Sequence, residues 1–321
     1  MKEKEFKLIL DREKHEADVR QHFSRHVDLL IDLANYGSNL IPRAYDSSGK
    51  KLEDIVVIGI LLKQVVSMID AVEVLISKGA VGPAMLQARA AFEASLYIDW
   101  ILKGEPEKKG KYYYVSNLRN QRLWILRFKT GTQEKETFSQ SFRDVEKYIK
   151  IDDLDRVSKQ AEEELTKIDS LLSKPEWTEI NKEFEARKKK TGFEPYWYRL
   201  LGVSSIRQLA RDVGRLGEYD LFYSRSSEVM HVSSYKDHLR FGRGTISFEP
   251  IRQLKDIHVV LRFITLVAVS SFTSILRHYR HGELKSFARK YLQDWRGAFL
   301  NIPSVSYTPQ IQHLRNNPCP H

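Results

Sequence analysis

Cysteine is nearly absent: the 321 residues contain one, Cys319. No disulfide can therefore form within the chain, and a reducing, cytoplasmic setting is expected. A cysteine nucleophile and a cysteine-based zinc site are disfavoured on the same ground. The glycines and prolines build none of the usual phosphate or dinucleotide loops: there is no GxxxxGK[ST] and no GxGxxG after a strand. HExxH and GxSxG are missing too, so no cofactor or metal is expected. The first twenty residues alternate charges and lack the apolar run of a secretory signal.

Long uninterrupted apolar runs are also scarce. Ile55–Ile76 carries Lys63, Asp70 and Glu73, and Phe263–Leu276 falls short of the ~20 residues that span a bilayer. Both stretches are expected as buried helices, with no membrane association. No period of 20–50 residues recurs, which argues against a solenoid.

What is present is the balance of a soluble globular protein, with 42% hydrophobic and 29% charged residues. A chain of this length can bury a large core without disulfides or metals. The net charge is +10, and from Ile251 onward ten Lys and Arg stand against three Asp and Glu. Such a surplus suits a polyanionic partner, nucleic acid first, or else a basic surface that merely keeps the protein soluble.

Apolar spacing of three and four residues dominates and predicts helices almost throughout. The first ends at Gly37-Ser38 and is followed by a polar loop, RAYDSSGK. The next runs from Glu53 or Asp54 to Ile76. A third follows Gly82-Pro83 and closes at Lys103-Gly104. Another spans Lys109 to Gly131, its basic residues interleaved with Tyr112, Tyr113, Tyr114 and Trp124. We read those aromatics as core and those cations as a solvated face. Residues 134–173 are charge-dense with narrow apolar stripes, as in a protruding helical hairpin. A helix from Pro175 to Gly192 precedes the aromatic loop GFEPYWYRLLGV, and Ser204-Ser205 caps the next one. Gly217 separates that helix from the segment that follows it. HLRFGRGTISFEP alternates around Gly242-Arg243-Gly244 as a short β-hairpin, and Pro250 then opens the apolar helix that ends at Tyr279. The expected fold is mainly α, a multi-helix bundle in one domain over residues 1–300, with a core at 52–280 and an irregular tail at 301–321.

The candidate site lies in YDLFYSRSSEVMHVSSY, Tyr219 to Tyr235. At helical spacing Tyr223, Ser227 and His231 share one face. Arg89 and Glu93, four apart in a very apolar helix, share another and call for buried partners. Histidine titrates near neutrality and can move the protons of RNA cleavage, in which the 2′-hydroxyl attacks the adjacent phosphate. Arginine forks onto phosphate and can stabilise developing charge without a metal. Arg225 and His231 are therefore the catalytic candidates, and Arg89, Glu93, Tyr223 and Ser227 the supporting polar cluster.

The run Arg225 to His231, RSSEVMH, resembles the R-x4–6-H motif of the HEPN superfamily of helical nucleases, with Ser226 where Asn, Asp or His is common. Arg89-x-x-x-Glu93 followed downstream by SIRQLARDVGRLGEYDLFYSRSSEVMHVS is similar to an uncharacterised, mostly bacterial, all-helical family, over roughly Ile55 to Leu276. The HEPN resemblance implies a helical bundle, commonly a homodimer with a composite RNA-cleaving site, acting as a toxin or phage-defence effector beside a partner protein or antitoxin. A different reading of the same residues is a non-catalytic binding or scaffold module. Tyr223, Ser227 and His231 would then meet Arg89 and Glu93 in a structural polar network that fixes helix register.

Overall fold

The computed structural model describes residues 10–143, 154–226, 238–242 and 245–305, and they are mainly helical. The chain divides into two compact units. One comprises residues up to Leu40, Lys63–Ser95 and Gly217 onward, the other Ile41–Leu62 and Leu96–Leu216. Helices α1 (Arg12–Asp46), α2 (Val57–Ser77) and α3 (Val81–Leu102) contribute residues to both.

In the first unit the core is built on α11 (Ile257–Tyr279), where Ile257, Val260, Phe263, Ile264, Val267 and Phe272 are all buried. Phe92 of α3 packs its ring 5.3 Å from that of Phe263, and Ser95 and Ser271 share a buried hydrogen bond of 2.8 Å. Gly37 does not end α1. A Cβ there would lie 2.5 Å from Val66 and 2.8 Å from Phe272, so the glycine lets three helices approach closely. Ser38 stays helical by donating its hydroxyl to the Ala34 carbonyl at 2.8 Å. The stretch read as the loop RAYDSSGK is thus helical as far as Asp46. The Tyr36 ring sits 5.4 Å from each of Phe272, Phe287 and Trp295, tying the C-terminal helices to α1.

In the second unit α4 (Pro106–Leu126) is central, packing against the π-helical turn Leu52–Val56, α6 (Leu154–Leu172) and α7 (Pro175–Thr191). A side chain on Gly110 would run into the Glu53 carbonyl, so glycine is required where the π turn crosses α4. Helix α6 lays Ala161, Leu165, Ile168 and Leu172 into the core, its narrow apolar stripe facing α4 and α7. Helix α5 spans Gln133–Phe142. The segment that would join it to α6 in the expected hairpin lies outside the described residues. Trp197 and Tyr198 open the short helix α8 (Trp197–Leu200) and are both buried, so half of the supposed aromatic loop is core. Ser205 caps α9 (Ile206–Asp212) by accepting from the Gln208 amide.

The cations of α4 are not all a solvated face. Arg119 is 5% exposed. Its guanidinium donates to both Glu194 oxygens, to Asn181 at 2.5 Å and to Glu185 at 2.7 Å. A buried guanidinium needs such a ring of acceptors, because each unmet donor would lose its hydration without return.

The β-hairpin is formed as expected. Leu239–Gly242 pairs antiparallel with Thr245–Phe248, Gly242 opposite Thr245. Pro250, however, does not start a helix. Residues 249–256 run irregularly along the α2–α3 connection, with a bridge between Ala80 and Gln253, and α11 begins only at Ile257. By length and composition Leu52–Ser77 and Ile257–Tyr279 would each be able to cross a membrane. Half of the most apolar window in the first and 61% in the second is buried within the protein.

Candidate functional site

Tyr223 stands at the end of a π-helical turn, Tyr219–Tyr223, that continues a short helix α10 (Leu216–Glu218). The chain breaks before this run, at Gly214 with φ +78°, and Gly217 lies inside the helix rather than separating it. A π turn inserts one extra residue and so rotates everything after it relative to a regular helix. Phe222 stacks on Phe263 at 4.6 Å, and Tyr223 turns into the protein beside Phe92, 5.8 Å away.

There Tyr223 meets the two polar residues of α3. Its phenol donates to Glu93 Oε2 at 2.9 Å and accepts from Arg89 at 3.1 Å. The Arg89 guanidinium also lies 4.3 Å from the Tyr223 ring centroid, a cation–π arrangement. Burial, reinforced by the Glu93 carboxylate, pushes the Tyr223 phenol well above its usual range. The hydroxyl therefore stays protonated and fixed as a relay between the two charges. Of the expected cluster, Arg89, Glu93 and Tyr223 are brought together. Ser227 and His231 lie outside the described residues.

Arg225 takes a different place. It is 56% exposed and lines a cleft of about 520 Å³ in the first unit, a volume within the range of small-ligand sites. Its neighbour Ser226 is fully buried and donates to the Tyr223 carbonyl at 2.8 Å.

The cleft is formed where the 249–256 segment is strapped to the end of α2. The Gln253 amide donates to the Gly79 carbonyl at 3.1 Å, and Arg252 donates to the Lys78 carbonyl at 2.5 Å. Asp256, in the left-handed conformation with φ +61°, turns the chain into α11 and places its carboxylate 3.8 Å from Arg225. An exposed pair at that distance is worth roughly 0–1 kcal/mol, so Arg225 is held loosely. Arg12, Arg252, Lys255 and His238 line the same cleft against Glu249 and Asp256. Val81, Met85 and Val259 supply apolar wall beside those charges.

The sequence offered no local signal for most of these lining residues. They come from the N-terminal helix, the α2–α3 connection and the segment before α11, and only the folded chain brings them together. Among the described residues, no group of three His, Cys, Asp or Glu is placed to hold a metal ion. Chemically, the cleft can bind an anion of nucleotide size, with guanidinium and ammonium groups for its charge and an apolar wall for the rest.

Fold and site together define a mainly helical protein with a cation-lined cleft beside a buried tyrosine relay. The chain belongs to a family of unknown function, DUF5677, whose match covers residues 54–244 and hence all six candidate site residues. No curated protein and no solved structure matches it.

Proposed function

We propose that this protein is a HEPN-like, metal-independent endoribonuclease whose substrate phosphate binds at Arg225. The observation that carries the reading is the contrast between the site's arginines. Arg89 is engaged by Tyr223, whereas Arg225 lines the open cleft and, among the described residues, pairs with the Asp256 carboxylate 3.8 Å away. In the proposed reaction His231 takes the proton from a ribose 2′-hydroxyl as O2′ bonds to phosphorus. The bond from phosphorus to the 5′-oxygen breaks, that oxygen takes a proton from a water molecule and leaves as a hydroxyl, and the product is a 2′,3′-cyclic phosphate. Arg225 stabilises the charge that builds on the non-bridging oxygens. Arg89, Glu93 and Tyr223 are the supporting polar cluster for this pair, and Ser227 belongs to the same support. A cytoplasmic role as toxin or phage-defence effector, pairing of two copies and control by a partner protein follow from the HEPN resemblance.

The test is cleavage of single-stranded RNA by the purified full chain in EDTA, with Arg225→Ala and His231→Ala alongside. Loss of a general acid–base is expected to lower the rate roughly 10²–10⁴-fold, and loss of Arg225 roughly 10²–10³-fold. Equal cleavage by all three proteins, or none by any, overturns the proposal.

A second reading is supported by the buried Tyr223 hydroxyl, which bonds both Glu93 and Arg89. Such a contact suits a non-catalytic binding module that uses a polar network to fix helix register. On that reading His231→Ala lowers thermal stability and changes no activity.

A further inference from the structure

The second unit carries an exposed feature that the cleft does not explain. Helix α7 ends on Arg187, Lys188, Lys189 and Lys190, and Gly192, with φ +77°, turns the chain into the loop Gly192–Tyr196. Two large aromatic side chains on this loop point into water: Phe193 is 79% and Tyr196 61% exposed. Single exposed apolar residues are ordinary, but two rings on one five-residue loop, flanked by cations, are not.

The loop is held firmly enough for its rings to be presented on purpose. Glu194 between them turns inward to the buried Arg119 fork. Just beyond, Trp197 and Tyr198 are both buried and pack with Tyr97, and Trp197 also packs on Trp100. Thr191 Oγ1 donates to the Phe193 carbonyl at 3.0 Å. Tyr196 lies parallel to Tyr198, 5° between planes and 5.5 Å between centroids, with the Arg199 guanidinium 5.4 Å from its ring. Phe193 and Tyr196 therefore face outward from a segment whose intervening and following residues are anchored.

The charge around the rings has one sign. Arg187, Lys189, Lys190 and Arg199 are exposed, and the one carboxylate in the segment, Glu194, is engaged by Arg119 and by Lys188 at 3.7 Å. Lysines at a helix C-terminus have a local use, because they offset the helix dipole. That use does not extend to Arg199 or to the two rings.

We infer that this face, the last turn of α7 with Phe193, Tyr196 and Arg199, binds single-stranded nucleic acid. Unpaired bases stack on the exposed rings while the cations follow the phosphates. A duplex keeps its bases stacked inside and leaves the rings without partners, so it is expected to bind far more weakly. An anionic membrane would also attract the cations. It would favour a broad apolar face, and here the rings alternate with an inward-turned glutamate.

The inference shares with the proposed ribonuclease only the kind of partner, and its test is independent of cleavage. A fluorescein-labelled dT12 oligonucleotide lacks the 2′-hydroxyl that the proposed reaction uses, so anisotropy reads binding alone. The full chain is expected to bind dT12 more tightly than the corresponding duplex. Phe193→Ala/Tyr196→Ala is expected to weaken binding at least about tenfold. Lys189→Ala/Lys190→Ala is expected to reduce the salt dependence, by about 0.7 in logarithmic slope for each phosphate left without its cation. The ring variant should weaken binding by the same factor in an Arg225→Ala background, which separates this surface from the cleft. An unchanged thermal midpoint for both double variants excludes unfolding as the cause. The inference is overturned if the chain does not bind dT12 or if the ring variant binds it as the parent does. It is overturned equally if the rings are needed only for binding vesicles of phosphatidylserine and phosphatidylcholine.

Discussion

Two arginines show how this protein uses the same side chain for opposite ends. Arg119 is buried in the second unit, its fork filled by Glu194, Glu185 and Asn181. Arg225 stands half exposed on a cleft wall, with Asp256 3.8 Å away. A desolvated guanidinium stays only where acceptors replace its former water. Once they do, nothing remains to offer a ligand. A guanidinium with one weak partner keeps both its hydration and its capacity for phosphate. Burial and the number of acceptors, rather than residue type, separate a structural cation from a binding one.

The sharpest way to break this contrast is to remove Arg119. Arg119→Ala strands Glu194 in a partly buried site and is expected to destabilise the protein by about 3–5 kcal/mol, read from urea unfolding. A loss below about 1 kcal/mol would erase the distinction between the two arginines. Next in size is Tyr223→Phe, which removes the donor to Glu93 and the acceptor for Arg89. A hydrogen bond to a charged group is worth roughly 1.5–3 kcal/mol, and a destabilisation of that size is expected in the same assay.

Acid provides a gentler probe. Burial alone would raise the Glu185 carboxyl, but the hydrogen bond and charge of Arg119 outweigh it and hold the carboxyl below its ordinary value. Unfolded, Glu185 binds its proton near pH ~4.3, and folded it does so lower. Its contribution is therefore complete above that pH and is lost as the pH falls through the folded value. Thermal midpoints measured from about pH 6 to 3 should fall less steeply in Glu185→Gln than in the parent. The smallest change is expected from Arg225→Ala, within about 0.5 kcal/mol of the parent in urea, even as it removes the cation on which RNA cleavage is proposed to depend. A large loss of stability on that substitution would move Arg225 to the structural side.

Much of the fold was legible because it rests on local rules. Gly104 and Gly192 close their helices with positive φ, as glycine after the last periodic residue suggests. Ser205 caps α9, and alternation about Gly242-Arg243-Gly244 pointed to the hairpin. The misreadings arose where one signal serves two purposes. Gly37 looks like a helix stop by composition but is a packing site, and the sequence does not reveal which of these a glycine serves. Gly217 and Pro250 also look like boundaries by composition, yet Gly217 lies inside α10 and no helix begins at Pro250. The π turns at Leu52–Val56 and Tyr219–Tyr223 have no composition of their own. Arg119 looked like one of several similar cations. Its burial depends on Glu185 and Glu194, more than sixty residues away.

Of the candidate site, the pairing of Arg89 and Glu93 on one helix face followed from spacing of four, and their need for partners followed from the apolar residues around them. That Tyr223 meets both, while Arg225 two residues later opens onto a cleft, was decided by the packing of Phe222 on Phe263 and by the strap of residues 249–256. The sequence by itself determined the helical periodicity, the turn glycines, the basic excess and the chemical types available to a site, because these depend on neighbours a few residues apart. Which cations are buried, which are free to bind and which residues share the cleft depend on contacts between distant segments, and those exist only once the chain has folded.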